Sequence, residues 1–576
     1  MPDPELGGVG RDMGDCKAMG KTIEHFCGIM TRLGKNQAGN TIAIIAAALV
    51  PLAGMVGGAV DISRGYLAQT RLQQACDAGV LAGRKVMGSS GVLSDAVRDE
   101  VRKYVGFNFP DAYLGSALSP TTSVNPTLGA NDTLQLTVTT TVPTVVMRLF
   151  GKNTMTATAT CTARNDYANI DIVLVLDVTG SMACKPERDA SQCSSYANTS
   201  GRKKTMTVDG RTVTYIDEET SGGVNISRMQ GLRTALANLQ SQMATIESQF
   251  NLTEESKRKR IRWAIIPFSQ MVNAGFSKGS ANTTLYARQP GWFNTTGTYR
   301  ETTCLSSRGV VTCTLDRTNS SVAHDTTWLA NTWDGCIEEQ STSNSITSTS
   351  STIPSTAYDL LFNTVPNSTA TRWTVADPVK VGADASTGSP QYACPKPMRE
   401  MQTMTTTDFN NYFAFNQGFV ANGGTYLDLG ILWAARLLSR SGNWASENPT
   451  LYRTFPVSRY VILMTDGNMD AKAYGYGAYA QEWTWRRVTT NGDPDLSDDN
   501  HTARMLLTCT AIKNMDAKIY TISFSSGSTL SQDLIDCSSS TNSTNPEFAY
   551  KADDSAELNN VFRDIGENIG SLRLSQ

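Results

Sequence analysis

From residue 168 onward the apolar positions come in two rhythms. Near-continuous runs occupy 170–177, 262–268, 458–465 and 517–524, as strands covered on both faces require. Around them, apolar residues recur every three or four positions at about 226–248, 426–440, 502–515 and 555–571, the spacing of helices with one buried stripe. Alternation of this kind predicts βαβ units: an α/β fold with a doubly wound, mostly parallel sheet and helices on both faces.

The N-terminal third has a different pattern. No charge falls between Lys35 and Asp61, and the 20-residue run 41–60 is long enough to cross a bilayer as a helix. A transmembrane helix is expected over 36–60, after a cytoplasmic segment 1–35, with a cleaved signal peptide as the rival reading. Helical spacing continues through Ile62, Tyr66, Leu67, Leu72, Ala75, Val80 and Leu81, so the helix should run on over 61–86. Strict alternation at 134–142 and 154–161 predicts half-buried strands in a small α+β module at 87–167, with a helical turn at 145–150 closed by Gly151. Between 273 and 404 the α/β rhythm stops. That stretch is expected to be an inserted subdomain, poor in apolar material, with a flexible Ser/Thr tract at 341–352. The sheet domain is left with 168–272 and 405–576.

Composition narrows the function classes. A net charge of -3 leaves no electrostatic footprint for nucleic acid, and the basic cluster at 257–262 reads as a solvated turn. Three histidines, scattered at 25, 324 and 501, offer little for a zinc site or a Ser-His-Asp triad. The 12 cysteines include no Cys-x-x-Cys, and ten follow the apolar segment. An even number suits an oxidising compartment, which places the C-terminal bulk outside the cytosol. By proximity the pairs are Cys184 with Cys193, Cys304 with Cys313, Cys336 with Cys394 and Cys509 with Cys537, leaving Cys76 and Cys161 as a fifth.

Candidate chemistry lies at the strand ends. The first run ends in Asp177-Val-Thr179-Gly-Ser181, the run after 458 ends in Thr465-Asp466-Gly467, and Gly423-Gly424-Thr425 opens a helix. Open α/β sheets bind ligands at their carboxyl edge. Asp177, Thr179, Ser181, Thr425 and Asp466 together supply only oxygen and two carboxylates, a set that suits Mg2+, with Mn2+ and Ca2+ as alternatives. Two other patches stand nearby in sequence. Tyr474, Tyr476, Tyr479, Trp483 and Trp485 form either a partner surface or internal packing, and Asp493 to Asp499 reads as an acidic turn.

These segments resemble the von Willebrand factor type A family, whose metal-ion-dependent adhesion site reads Asp-x-Ser-x-Ser, then Thr, then Asp; Thr179 stands where the family has Ser. The resemblance implies that the ion docks an Asp or Glu of a protein partner rather than catalysing a reaction. The segments Gly39-Asn-Thr-Ile-Ala, Val60-Asp-Ile-Ser-Arg-Gly-Tyr66 and Leu72-Gln-Gln-Ala-Cys-Asp-Ala78 resemble TadE/TadG-type proteins of the bacterial Tad (Flp) pilus system. That second resemblance implies pilus assembly components as partners and an inner-membrane, single-pass protein with its bulk in the periplasm. The expectation is therefore a binding protein, not an enzyme. A surface adhesin for host or matrix ligands and a metal-dependent hydrolase are the alternatives.

Overall fold

The computed structural model describes residues 40–571 apart from 88–92, 119–122, 130–132, 164–168, 249–259, 275–284, 308–309, 384–390, 453–454, 472–473 and 528. The expected cytoplasmic segment 1–35, with His25, Cys16 and Cys27, and residues 257–259 of the basic cluster lie outside the described residues. The chain divides into two compact units between 165 and 166.

In the first unit a single helix α1, Asn40–Met87, joins the apolar run to the segment predicted to follow it, passing through Pro51. It is long and apolar enough to cross a membrane, and Ile44, Val50, Met55 and Val56 are exposed. Its second half buries Leu72, Ala75, Cys76 and Val80 against helix α2, Asp95–Asn108, and a three-stranded antiparallel sheet. That sheet comprises β1 Thr127–Leu128, β2 Leu134–Pro143 and β3 Thr154–Ala163. Alternate residues of β2 are buried, so the period-two pattern converts directly into one core face. Cys76 is bonded to Cys161, tying α1 to β3. The carboxylate of Asp61 accepts the backbone N–H groups of Val145, Val146 and Met147 at 2.8, 2.9 and 2.8 Å. It thereby caps the helical turn Met147–Phe150, which Gly151 ends at φ +83°.

The second unit is built on strands β4 Asn169–Asp177, β5 Ile261–Phe268, β6 Arg399–Gln402, β7 Phe455–Thr465, β8 Ala517–Phe524 and β9 Ala549–Ala552. Their spatial order is β6-β5-β4-β7-β8-β9, and β6 alone of these six is antiparallel to its neighbour. This is the doubly wound arrangement, with its switch point between β4 and β7. Helices α3 Arg228–Ser248 and α6 Ser555–Ser571 contribute to one core; α4 Leu427–Leu438 and α5 Pro494–Asn514 contribute to the other. The polar residue inside the first apolar run has a partner. Asp171 accepts Arg262 Nε and Nη2 at 2.8 and 2.7 Å across the β4–β5 register. Arg260 and Arg262 are buried, so the end of the basic cluster is a core ion pair and not the solvated turn expected of it.

The inserted region also departs from expectation. It supplies β6, the edge strand of the sheet, so its last residues belong to the sheet itself. Nor is it short of apolar packing: Trp373 is buried and stacks on Trp433 of α4, ring centres 5.2 Å apart. Glu339 of the insertion receives Arg436 through two hydrogen bonds of 2.9 and 2.7 Å, together with the indole N–H groups of Trp373 and Trp433. The Ser/Thr tract is not a free linker either. Ile346 is fully buried with Leu360 and Leu432, and Thr347 N–H bonds to Ser350 Oγ at 3.0 Å. One buried isoleucine and local hydroxyl turns order a stretch whose composition suggested flexibility. The cysteine pairs Cys184–Cys193, Cys304–Cys313, Cys336–Cys394 and Cys509–Cys537 are all bonded.

Candidate metal centre

Strand β4 ends in Asp177 and its neighbour β7 ends in Thr465, one residue before Asp466. Because the two strands are parallel and adjacent, both acids emerge at the carboxyl edge of the sheet. Asp177 is held twice: its Oδ1 accepts Thr179 N–H at 2.8 Å and its Oδ2 accepts the Thr465 hydroxyl at 2.7 Å. From there a chain of oxygens runs across the turn. Thr179 Oγ1 and Ser181 Oγ are 2.9 Å apart, and Ser181 Oγ donates to Asp466 Oδ1 at 2.8 Å.

Thr425 reaches this edge through its backbone. Gly423 carbonyl accepts Gly180 N–H at 3.0 Å, Gly424 N–H donates to Gln270 Oε1 at 3.0 Å, and Thr425 exchanges two backbone bonds with Asp470. Gly423 sits at φ +92°, and a Cβ there would lie 2.7 Å from that of Ala393, so only glycine lets the loop come this close. Four of the five expected residues thus meet in one hydrogen-bonded cluster. The fifth, Thr425, lies on the loop fastened to that cluster's turn.

Both carboxylates are buried, Asp177 fully and Asp466 at 5 % exposure. Burial, and then the neighbouring Asp466 charge, pushes the Asp177 carboxyl up to about 7. Burial also raises Asp466, opposed by Arg228 and by the Ser181 hydroxyl. Arg228, at the start of α3, is a participant that sequence reasoning missed. Its Nη1 lies 3.0 Å from Asp466 Oδ2 and 3.1 Å from the Ser181 carbonyl. Thr465 was missed too, although its place beside Asp466 was a signal. Two buried acids and converging hydroxyls form an oxygen-only donor set. The one negative charge that Arg228 leaves uncancelled fits a hard divalent cation.

Other candidate chemistry resolves into structure. Tyr476 and Tyr479 are buried, and their hydroxyls bond to Glu338 and Asp359 at 2.9 and 3.0 Å. Internal packing therefore accounts for this part of the aromatic patch. The acidic run from Asp493 is not a turn but the start of α5: Asp493 caps it by accepting Asp495 and Leu496 N–H, with Pro494 in the first position. His324 and His501 pair with buried Asp377 and Asp428. Asp334, Cys336 and Cys394 stand close together, but the two sulfurs are bonded to each other and offer no thiolate. A cavity of about 840 Å3 lined by Asp334, Tyr392, Lys396 and Arg399 includes none of the five edge residues.

The strand order, its antiparallel edge and the Asp-x-Thr-x-Ser turn at the carboxyl edge define a von Willebrand A-type α/β domain. Residues 39–90 match the family model described as "Putative Flp pilus-assembly TadE/G-like". That match is confined to these residues, which precede the α/β domain. Among curated proteins none matches the chain's sequence. Solved structures with some likeness include a variant of the minor pilin PilB from Streptococcus sanguinis, at 12% identity and TM-score 0.30, covering 79% of this chain and 78% of that one. Another is the vWF domain of the type V pili tip protein Mfa5 from Porphyromonas gingivalis, at 10% identity and TM-score 0.30, covering 71% and 97%. A third is proximal thread matrix protein 1 from the mussel byssus, with a zinc-occupied MIDAS motif, at 11% identity and TM-score 0.24, covering 70% and 46%.

Proposed function

We propose that this is a membrane-anchored, extracytoplasmic binding protein of Tad/Flp pilus assembly or tight adherence, which docks a partner's carboxylate through a divalent ion at the sheet edge. The observation that carries this reading is the hydrogen-bonded run at the switch point from the Asp177 carboxylate, through the Thr179 N–H and hydroxyl and the Ser181 hydroxyl, to Asp466, with Asp177, Thr179 and Asp466 buried. Asp177, Thr179, Ser181, Thr425 and Asp466 would hold Mg2+, which supplies a Lewis-acidic position for an Asp or Glu side chain. Asp177, Asp466 and Arg228 sum to one negative charge, so with a dication the site carries one positive charge. An incoming carboxylate neutralises it and is attracted. Arg228 thus tunes the site toward needing its partner.

The apolar half of α1 supports the anchor, and the five disulfides support an oxidising location such as the periplasm. The partner is proposed to be a pilus assembly component, and the anchor membrane the inner membrane, with the N-terminus inside. Pull-down of Tad pilus components by the full chain, in Mg2+ and in EDTA, tests the proposal. Capture should require Mg2+ and disappear in Asp177→Ala. Capture that survives both EDTA and the substitution would rule out ion-mediated docking.

A further inference from the structure

The turn capped by Asp61 has an unusual surface for a loop. Val145, Leu149 and Phe150 are 46%, 78% and 58% exposed, although Asp61 satisfies the backbone N–H groups of residues 145–147. The turn does not point away from α1. Val146 packs so closely on Gly57 that a Cβ there would collide with it, and a Cβ at Gly54 would lie 3.3 Å from the Phe150 ring. Gly57 and Gly54 precede Asp61 by four and seven residues, which at the helical rise is about 6 and 10 Å back along the axis. Phe150 therefore sits beside the apolar half of α1, at a level where Val50, Met55 and Val56 are each more than half exposed.

We propose that residues 145–150 are a second, non-spanning membrane anchor, an apolar turn that dips into the leaflet from which α1 emerges. This rests on the reading of α1 as a membrane helix. If Asp61 marks the boundary, a depth of about 10 Å lies inside the half-thickness of about 15 Å of the hydrocarbon core. Five backbone N–H groups of residues 145–151 are satisfied within the protein, as lipid requires. Three of its N–H groups are taken by Asp61 and those of Leu149 and Gly151 by Val146 and Arg148 carbonyls. Arg148 and Lys152, both exposed, can extend their long side chains toward headgroups. The occupant of this surface is lipid, because the turn continues the apolar face of the proposed span. With the turn embedded beside it, α1 resists rolling about its own axis, and the unit fused to it keeps a set orientation to the membrane plane.

The test uses the full chain, with Cys16→Ser and Cys27→Ser, in vesicles of phosphatidylethanolamine and phosphatidylglycerol containing acyl-brominated lipid. A bimane probe is placed in turn at Leu149→Cys, Val50→Cys and Thr207→Cys. Leu149 and Thr207 are exposed, so probes there leave packing intact. Leu149 should be quenched about as strongly as Val50 and about threefold or more above Thr207. If Val50 is quenched and Leu149 only as weakly as Thr207, the turn stays in water and the proposal fails while the span stands. If Val50 is unquenched, the span fails and the proposal with it. Shielding of Leu149 from both bromolipid and aqueous iodide would mean that protein covers the turn, which also overturns it.

Discussion

Arg228 and Asp466 form a buried ion pair, Nη1 to Oδ2 3.0 Å, with side chains 2% and 0% exposed. The guanidinium cancels one of the two carboxylate charges that would hold a cation. Arg228→Gln should therefore tighten Mg2+ binding by about tenfold, about 1.4 kcal/mol, while weakening the added attraction for a partner's carboxylate. Isothermal titration calorimetry checks both. Unchanged or weaker Mg2+ binding in a folded variant would mean that these oxygens do not hold the ion.

Ion binding should depend on pH. Burial and the Asp466 charge raise the Asp177 carboxyl to about 7, and a cation binds its ionised form. Affinity should rise as pH climbs through about 7 and fall below it, with proton release on binding. In the ion-free protein the linkage runs the other way. A carboxyl whose folded pKa lies above its unfolded value makes the fold lose stability as pH rises from about 4 to about 7. Calorimetry in buffers of different ionisation enthalpy reads the released proton, and a flat profile from pH 5.5 to 8.5 would contradict the assignment.

The insertion should be energetically part of the sheet domain. Glu339 joins it to α4 through Arg436, with both side chains at most 3% exposed. Glu339→Ala leaves the guanidinium buried and unpaired, and should cost about 3–5 kcal/mol. Chemical denaturation should show one shifted transition for the second unit. A separate early transition for the insertion, with the sheet unchanged, would show the two to be independent.

Cys76 and Cys161 close a span of 85 residues around the core of the first unit. Replacing both with serine should cost about 2–5 kcal/mol. The loss should be confined to that unit, leaving Mg2+ affinity unaltered. Differential scanning calorimetry and Mg2+ titration on the same sample separate the two outcomes.

Much of the sheet was legible because its central strands are apolar on both faces. The run at 517–524 coincides with β8, and the helix at 555–571 with α6. What stayed hidden depended on partners far away in sequence. Asp171 and Arg262 look like intruders in or before apolar runs until register sets them side by side. The start of α5 was hidden because its first turns are polar, and only the cap at Asp493 marks it. Acids and hydroxyls at strand ends made the edge cluster visible as a motif. Arg228 was not, because an arginine opening a helix has no local signature of a buried ion pair. In the insertion, Ser/Thr content concealed Ile346 and the tryptophans that order it.

The hydroxyl of Thr465 and the carboxylate of Asp177 are 288 positions apart in the chain. Half of the edge cluster therefore cannot exist until β7 has been synthesised and, in a secreted protein, exported. A chain arrested midway would already hold its apolar helix and β4, but its Asp177 would face no Thr465 and no Asp466. If the edge cluster docks a partner as proposed, that capacity is a late event in biogenesis, acquired only once β7 is in place, so stalled intermediates cannot compete for the partner.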